Sequence, residues 1–263
     1  MYAFQYERPT TLAAAQALLS AGGNALAGGQ TMIAAMKQRL QQPETVVDLG
    51  GISSLAGIRK EGNAIVIGAM TRHQDVADNA EVRQHIPALA ALANGIGDKQ
   101  IRAMGTLGGS VANNDPAACY PSAVLALGAT VHTDKRTIAA DDFFQGLYTT
   151  ALDAGELITA ISFPIPQKAA YAKFQQPASR FALVGVFVAQ TANGARVAVT
   201  GAGNGVFRHA GLETALSGSF TPEAAAKVAI DDSELNADLH ASAAYRAHLI
   251  SVQTQRAVQQ AHG

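Results

Sequence analysis

Two short glycine-rich runs contain the residue types that bind a diphosphate group. The first is Ala27-Gly28-Gly29-Gln30-Thr31-Met32, and the second is Gly105-Thr106-Leu107-Gly108-Gly109-Ser110. Each pair of glycines is expected where a β-segment ends, followed by small hydroxyl or amide residues. Backbone N–H groups in such a run are not covered by side chains, so they can donate to an anion. A Gly-Gly pair can also be a simple turn, and the presence of two runs favours the diphosphate site.

A third glycine cluster, Gly201-Ala202-Gly203-Asn204-Gly205, looks superficially like a dinucleotide-binding turn. That turn requires G-x-G-x-x-G at the start of a helix inside a βαβ unit. Here the third glycine is misplaced, and Val206-Phe207-Arg208 is a poor helix start. We therefore interpret this cluster as a turn.

Composition excludes several classes of partner and cofactor. The chain has 263 residues and a formal net charge of −1, and its 19 Lys and Arg residues are scattered rather than clustered. This distribution argues against a nucleic-acid groove or an anionic membrane surface as partner. Cys119 is the only cysteine, so an internal disulfide, a cysteine-ligated iron–sulfur cluster and a structural zinc site are excluded. We predict no metal site, and any redox chemistry would need an organic cofactor.

The N-terminus has no charged segment followed by an apolar one, and no apolar stretch approaches the roughly 18 residues of a membrane span. We predict no transmembrane segment and a cytoplasmic location.

Periodicity places the first glycine run in a small βα unit with a parallel sheet. The predicted elements are a helix over 11–21, a strand over 25–27, a helix over 32–40 and a strand over 45–49. The first run is then the turn between a strand and a helix.

The rest of the chain alternates between hairpins and Ala-rich helices. We predict a hairpin over 55–69, a helix capped by Thr71, a helix over 86–94 closed by Gly95, and strands near 130–133 and 157–163. Pro164 and Pro166 mark a domain boundary. Beyond them, strands over 182–190 and 195–200 precede helices around 209–217, 222–229 and 241–261.

The ordered pair of glycine runs resembles the FAD-binding medium subunit of the molybdenum hydroxylases, a family that includes the carbon monoxide dehydrogenase flavoprotein and domains of xanthine dehydrogenase and aldehyde oxidases. Further blocks in the same order carry this resemblance: F-x-Y-x-x-P-x-T near the N-terminus, Ile67 to Thr71, Phe143-Phe144, Gly155 to Ile158, and Tyr171 to Phe174. The resemblance implies an α+β fold with a vanillyl-alcohol-oxidase-like FAD-binding domain over 1–166, made of subdomains over about 1–54 and 55–166. A C-terminal domain over 167–263 would hold a three-stranded antiparallel sheet and helices.

The resemblance also implies which residues hold FAD. Segments 27–33 and 106–110 would surround the diphosphate, Ile158 would lie on the adenine or ribose side, and Lys173 would lie near the flavin. The implied cofactor-binding residues are Leu26, Ala27, Gly28, Gly29, Gln30, Thr31, Met32, Ile33, Thr106, Gly108, Gly109, Ser110, Cys119, Ile158 and Lys173. From the residues alone, Lys173 is equally an ordinary solvated lysine, Tyr171 a sheet-surface aromatic and His73 a helix-surface residue.

One position departs from the family pattern. After Asp115-Pro116-Ala117-Ala118 the family usually has an aspartate that can bond cofactor hydroxyls, and here Cys119 occupies that position. A thiol is a poor hydrogen-bond acceptor. Either Asn113, Asn114 or Asp115 substitutes for the aspartate, or FAD is held less tightly.

By resemblance, this chain transfers electrons and has no catalytic residue of its own. A large subunit would carry molybdopterin and a small subunit two [2Fe–2S] clusters, in a heterotrimer doubled to (αβγ)2, with FAD passing electrons to an external acceptor. Two alternatives remain. A free-standing flavoprotein oxidase would need an acid–base constellation that the sequence does not offer, and a non-enzymatic module would stay colourless at any FAD concentration.

Overall fold

The computed structural model describes residues 1–262. Its N-terminal unit is a three-stranded parallel sheet in the order β1-β3-β2 with two helices, which confirms the predicted βα unit. Thr11 caps the first helix, since its Oγ1 accepts the N–H of Ala14 at 3.2 Å. The elements are β1 (Gln5–Glu7), α1 (Leu12–Ser20), β2 (Asn24–Leu26), α2 (Met32–Lys37) and β3 (Thr45–Asp48).

Helix α2 ends three residues earlier than the sequence predicts. Arg39 takes a positive φ of 61°, and the N–H of Leu40 donates to the Ala35 carbonyl while that of Arg39 donates to the Met36 carbonyl. This pair of bonds is a Schellman motif, which terminates a helix even without glycine.

The middle unit is a five-stranded antiparallel sheet in the order β4-β5-β10-β6-β7, covered by short helices. Its elements are β4 (Ile58–Glu61), β5 (Ala64–Gly68), α3 (His73–Asp78), α4 (Ala80–His85), α5 (Pro87–Asn94), α6 (Lys99–Met104), α7 (Leu107–Asn113), α8 (Tyr120–Ala126), β6 (Thr130–Thr133), β7 (Thr137–Ala139), α9 (Ala140–Phe143), β8 (Phe144–Gly146), β9 (Thr149–Thr150) and β10 (Ile158–Pro164). Gly95 ends α5 as predicted.

Two local predictions in this unit are wrong. Thr71 does not cap α3, because its hydroxyl bonds both the N–H and the carbonyl of Gly57 and so fastens the β4–β5 hairpin. The second glycine run does not follow a strand: it begins after α6, and Thr106 is the N-cap of α7. Gly108 and Gly109 therefore lie in the first turn of a helix.

The C-terminal unit is an antiparallel sheet in the order β11-β12-β13-β14 with three helices. The predicted three strands become four, because Phe207–Arg208 adds a short edge strand held by the ion pair of Arg208 with Glu213 at 2.7 Å. Its elements are β11 (Lys168–Gln175), β12 (Ala182–Thr191), β13 (Gly194–Thr200), β14 (Phe207–Arg208), α10 (Ala210–Gly218), α11 (Pro222–Ala226) and α12 (Ala243–Ala261).

The C-terminal sheet packs on both faces. One face meets α12, and the other contributes Phe187, Ala189 and Ala198 to the core of the middle unit beside α8. Gly201, at the start of the third glycine cluster, has a φ of +83° and donates its N–H to the Pro116 carbonyl at 2.7 Å. Within residues 1–262, the helices are all too short or too polar to cross a membrane.

Candidate functional site

The two glycine runs meet in space. A Cβ on Gly28 would lie 2.6 Å from the Gly105 Cα and in hard contact with the Met104 carbonyl oxygen, and a Cβ on Gly109 would lie 3.3 Å from the Ala27 Cβ. Bare backbone at Gly28 is therefore what allows the first run to lie against the start of the second.

The first run presents a row of unpaired N–H groups. Gly29 has a φ of +71°, its carbonyl accepts the Ile33 N–H at 3.1 Å, and the Gly28 carbonyl accepts the Gln30 side-chain amide at 2.9 Å. Within residues 1–262, the N–H groups from Gly28 to Met32 have no acceptor. Five consecutive donors without partners are suited to an anion with several oxygens.

In the second run, the N–H groups from Leu107 to Ser110 already have acceptors in the protein. Gly108 donates to the Ala69 carbonyl at 2.8 Å, Ser110 donates to the Thr106 carbonyl at 3.1 Å, and Gly109 donates to Thr106 Oγ1 at 3.2 Å. A Cβ on Gly108 would lie 2.5 Å from the Ala69 Cβ. This run therefore contributes close packing and hydroxyl groups, whereas the predicted main-chain donors at 108–110 are already engaged.

A cavity of about 530 Å³ lies along both runs, a volume typical of cofactor sites. Of the residues predicted to bind the cofactor, all line it except Ile33 and Lys173. The predicted residues in its lining are Leu26, Ala27, Gly28, Gly29, Gln30, Thr31, Met32, Thr106, Gly108, Gly109, Ser110, Cys119 and Ile158.

The sequence reasoning missed one side of the lining. Ile96 and Gly97 follow α5, and Arg180 and Phe181 belong to the loop between β11 and β12. We call these four residues with Cys119 the Cys119 region. No local signal marks Arg180 and Phe181, because the β11–β12 hairpin carries them to a cavity whose glycine runs end far earlier in the chain, at Met32 and Ser110.

Lys173 lies just behind this region. Its ammonium donates to the Gly95 carbonyl at 2.6 Å and to the Arg180 carbonyl at 2.9 Å, and it lies 3.7 Å from Cys119 Sγ. The Lys173 side chain is therefore held in place by hydrogen bonds to the protein. The thiol of Cys119 is buried and faces the cavity.

Ile158 also lines the cavity, as do Leu157 and Leu49. Glu156 is also part of this lining, but both of its carboxylate oxygens accept from Arg136, at 3.0 Å each. These bonds to Arg136 hold the pKa of Glu156 down at about 2, helped by the Asp153 N–H and the Thr133 hydroxyl. Glu156 fixes the wall and has little capacity left to bind a ligand.

His73 is a cavity residue, and its interpretation as a helix-surface histidine is wrong. It is 5% exposed and packs against the ring of Tyr120 at a centroid distance of 5.3 Å. Burial, reinforced by the Arg102 charge, lowers the pKa of His73 to about 4. The imidazole is therefore neutral at pH 7, and it packs beside Gly105 of the second run.

An α+β fold with a cavity along an unpaired donor row and a packed second run has the features of a protein that binds a nucleotide cofactor. Residues 2–166 match the family described as "FAD binding domain in molybdopterin dehydrogenase", and residues 169–261 match the "CO dehydrogenase flavoprotein C-terminal domain". The chain belongs to this family of FAD-binding medium subunits of molybdenum hydroxylases. The predicted domain boundary at residue 166 stays a prediction.

Individual relatives cover most of the chain. The carbon monoxide dehydrogenase medium chain of Afipia carboxidovorans is 40% identical over 73% of this chain and 70% of its own length. The nicotine 6-hydroxylase medium subunit of Paenarthrobacter nicotinovorans is 34% identical over 98% and 97%. A solved structure of carbon monoxide dehydrogenase from Hydrogenophaga pseudoflava, which lacks the Mo-pyranopterin moiety of its molybdenum cofactor, superposes with a TM-score of 0.91 at 33% identity. The match covers 99% of this chain and 98% of that one.

Proposed function

We propose that this chain accepts electrons from iron–sulfur clusters of a partner, holds FAD in its cavity and passes the electrons to an external acceptor. The observation that carries the proposal is the row of five unpaired N–H groups from Gly28 to Met32 along the cavity. Proposed partners are a small subunit with two [2Fe–2S] clusters and a large molybdopterin subunit, in an (αβγ)2 assembly. The medium-subunit names of the relatives support this assembly, and the cytoplasmic location stays a prediction.

The residues present fit FAD. The donor row would take the diphosphate, with the hydroxyls of Thr31 and Ser110 beside it. We place the adenine near Ile158 and the flavin ring in the Cys119 region, where the half-exposed Phe181 offers an aromatic face. Bound there, FAD would supply a ring that accepts electrons and passes them on.

The titratable groups of the lining favour electron transfer over catalysis on a substrate of its own. His73 is neutral and buried, Glu156 is bonded to Arg136, and Asp115 accepts the Ala117 N–H at 2.8 Å. Among residues 1–262, the cavity therefore has no free acid–base pair of the kind that substrate oxidation requires. A free-standing oxidase would show turnover with the purified chain alone, which we do not expect.

The Thr31→Asp variant tests the donor row. Thr31 is the N-cap of α2 without a side-chain cap bond, so an aspartate there is compatible with the helix, while its negative charge would repel a diphosphate. We expect the dissociation constant for FAD to rise roughly tenfold or more, which corresponds to about 1.4 kcal/mol. The measurement is FAD binding by absorption and by fluorescence quenching in the purified chain and in the copurified complex.

Two matched controls separate charge from folding. Thr31→Asn has the shape of the aspartate without its charge and should bind FAD within about threefold of the original chain. Thr11→Asp places the same charge at the N-cap of α1, where the Thr11 side chain already caps the helix, and Thr11 is not among the residues lining the cavity. Equal FAD affinity of Thr31→Asp and Thr11→Asp would contradict the proposed diphosphate site, and absence of FAD from both the chain and the complex would contradict the function.

A further inference from the structure

Three cations converge on the turn that follows α5. Lys173 donates to the Gly95 carbonyl at 2.6 Å, Arg102 donates to the Ile96 carbonyl at 3.1 Å, and Arg180 donates to the Gly97 carbonyl at 3.1 Å. Arg102 also reaches the Gly97 carbonyl at 3.3 Å. Three consecutive carbonyls are thus each bonded to a positively charged side chain. Gly97 and Arg180 line the cavity.

Within residues 1–262, these three cations have no acidic partner. Throughout the described part of the chain, no carboxylate oxygen lies within 4.0 Å of a side-chain nitrogen of Lys173, Arg102 or Arg180. Other structural arginines do have one: Arg136 pairs with Glu156 at 3.0 Å, and Arg246 pairs with Asp238 at 2.8 Å. Carbonyl dipoles stabilise the cations but leave their net charge in place. The positive charges around this turn are therefore not balanced by a carboxylate in ion-pair contact.

Cys119 lines the cavity next to this cluster, and its short side chain contacts Lys173. Its Sγ lies 3.7 Å from the Lys173 ammonium, and the residue is 6% exposed. A carboxylate on a side chain of similar length would lie within ion-pair distance of the same ammonium. A cysteine at this position supplies no carboxylate, so the charge of Lys173, behind the cavity wall, is not offset from here.

We propose that Cys119 sets the electron affinity of the site by leaving Lys173 unneutralised, so that the Cys119 region favours a ligand ring that gains negative charge. This inference rests on the proposed function. Bound FAD that takes up two electrons from a reductant and one proton from solvent carries one negative charge on its reduced ring. The uncompensated ammonium stabilises that charge and makes reduction more favourable than it would be beside a Lys–Asp pair.

The test is the reduction potential of bound FAD in four variants of the full chain, measured by spectroscopic titration against reference dyes. We expect Cys119→Asp to lower the equilibrium constant for reduction at least tenfold, about 30 mV for a two-electron couple. Cys119→Asn, with the shape of the aspartate and no charge, should shift the constant clearly less than Cys119→Asp does. Lys173→Met should lower the constant as Cys119→Asp does.

The fourth variant, which combines Cys119→Asp with Lys173→Met, identifies the mechanism. If the aspartate acts by neutralising Lys173, its effect in the Lys173→Met background will differ clearly from its effect in the original chain. Equal potentials in the original chain and in Cys119→Asp, or an equal shift in Cys119→Asn, overturn the inference. FAD bound with unchanged potentials leaves the proposed function intact, whereas no FAD in the original chain or its complex overturns the proposed function itself. Circular dichroism of each variant without FAD shows whether the fold is retained.

Discussion

The two glycine runs have similar compositions, but their backbone N–H groups are used differently. The run at Gly28 leaves its N–H groups without acceptors and lies open along the cavity. The run at Gly108 bonds its N–H groups to Ala69 and Thr106 and uses its missing side chains for close packing. Glycine has no side chain in either run. The neighbouring residues decide whether this leaves a backbone N–H group accessible or allows two segments to pack more closely.

The comparison gives each run a separate physical role. The first can bind a ligand because its donors are unsatisfied, and an unsatisfied donor beside a cavity is the part of a structure that gains most from an anion. The second holds the first in position, because Gly28 of the first run packs on the Met104–Gly105 backbone at the start of the second. Under the proposed function, the first run binds the ligand and the second run supports it.

The largest expected effect comes from separating the runs. In Gly28→Ala the new Cβ meets the Gly105 Cα at 2.6 Å and the Met104 carbonyl oxygen, both backbone atoms that cannot rotate away. We expect a loss of about 3 kcal/mol in the free energy of unfolding, measured by urea denaturation of the chain without FAD. Gly218→Ala is the control, since nothing lies within 4 Å of its Cβ; it should be neutral or slightly stabilising. Equal stability of the two variants would show that the runs do not support each other.

His73, which packs beside Gly105 of the second run, should make the stability of the chain depend on pH. The folded pKa of His73, about 4, lies below the unfolded value near 6.5, so the unfolded chain binds more protons between these two values. The contribution of neutral His73 to the free energy of unfolding is therefore fully present above pH 6.5. It decreases as the pH drops toward 4, by about 2 kcal/mol at pH 4.5. The measurement is urea unfolding from pH 7.5 to 4.5 in the original chain and in His73→Gln.

The glutamine variant removes the titrating group while keeping a polar side chain beside Gly105. Its stability should change by about 2 kcal/mol less than that of the original chain over the same interval, whatever the other groups contribute. Parallel pH profiles would mean that the packing at the second run does not depend on a neutral imidazole.

Local sequence patterns predicted the helices and strands better than they predicted the roles of individual residues. The βα unit around the first run and the helix closed by Gly95 follow from periodicity and capping residues that lie within a few positions of one another. The role of Gly108 depends on the Ala69 carbonyl, almost forty positions earlier, and no local pattern encodes that contact. Arg180 and Phe181 reach the cavity only because β11 and β12 form a long hairpin.

The resemblance to a family supplied most of the candidate site, since it carries long-range contacts that a single sequence does not display. It was least informative at Lys173, which the structure places behind the lining with bonds to Gly95 and Arg180. It also gave no indication that Thr106 Oγ1 is used as a helix cap. Such details depend on side-chain hydrogen bonds, and those are fixed only once the chain is packed.

The smallest effect separates the two threonines that begin α2 and α7. Thr106 Oγ1 accepts the Gly109 N–H at 3.2 Å, whereas Thr31 makes no side-chain cap bond. Thr106→Ala should therefore lower the free energy of unfolding by about 1 kcal/mol, and Thr31→Ala should change it by less than about 0.5 kcal/mol. Thr106→Ser retains the accepting oxygen and should recover most of the loss. A Thr31→Ala variant as unstable as Thr106→Ala would mean that the first run is also held by its own side chain. The proposed difference between the two runs would then be wrong.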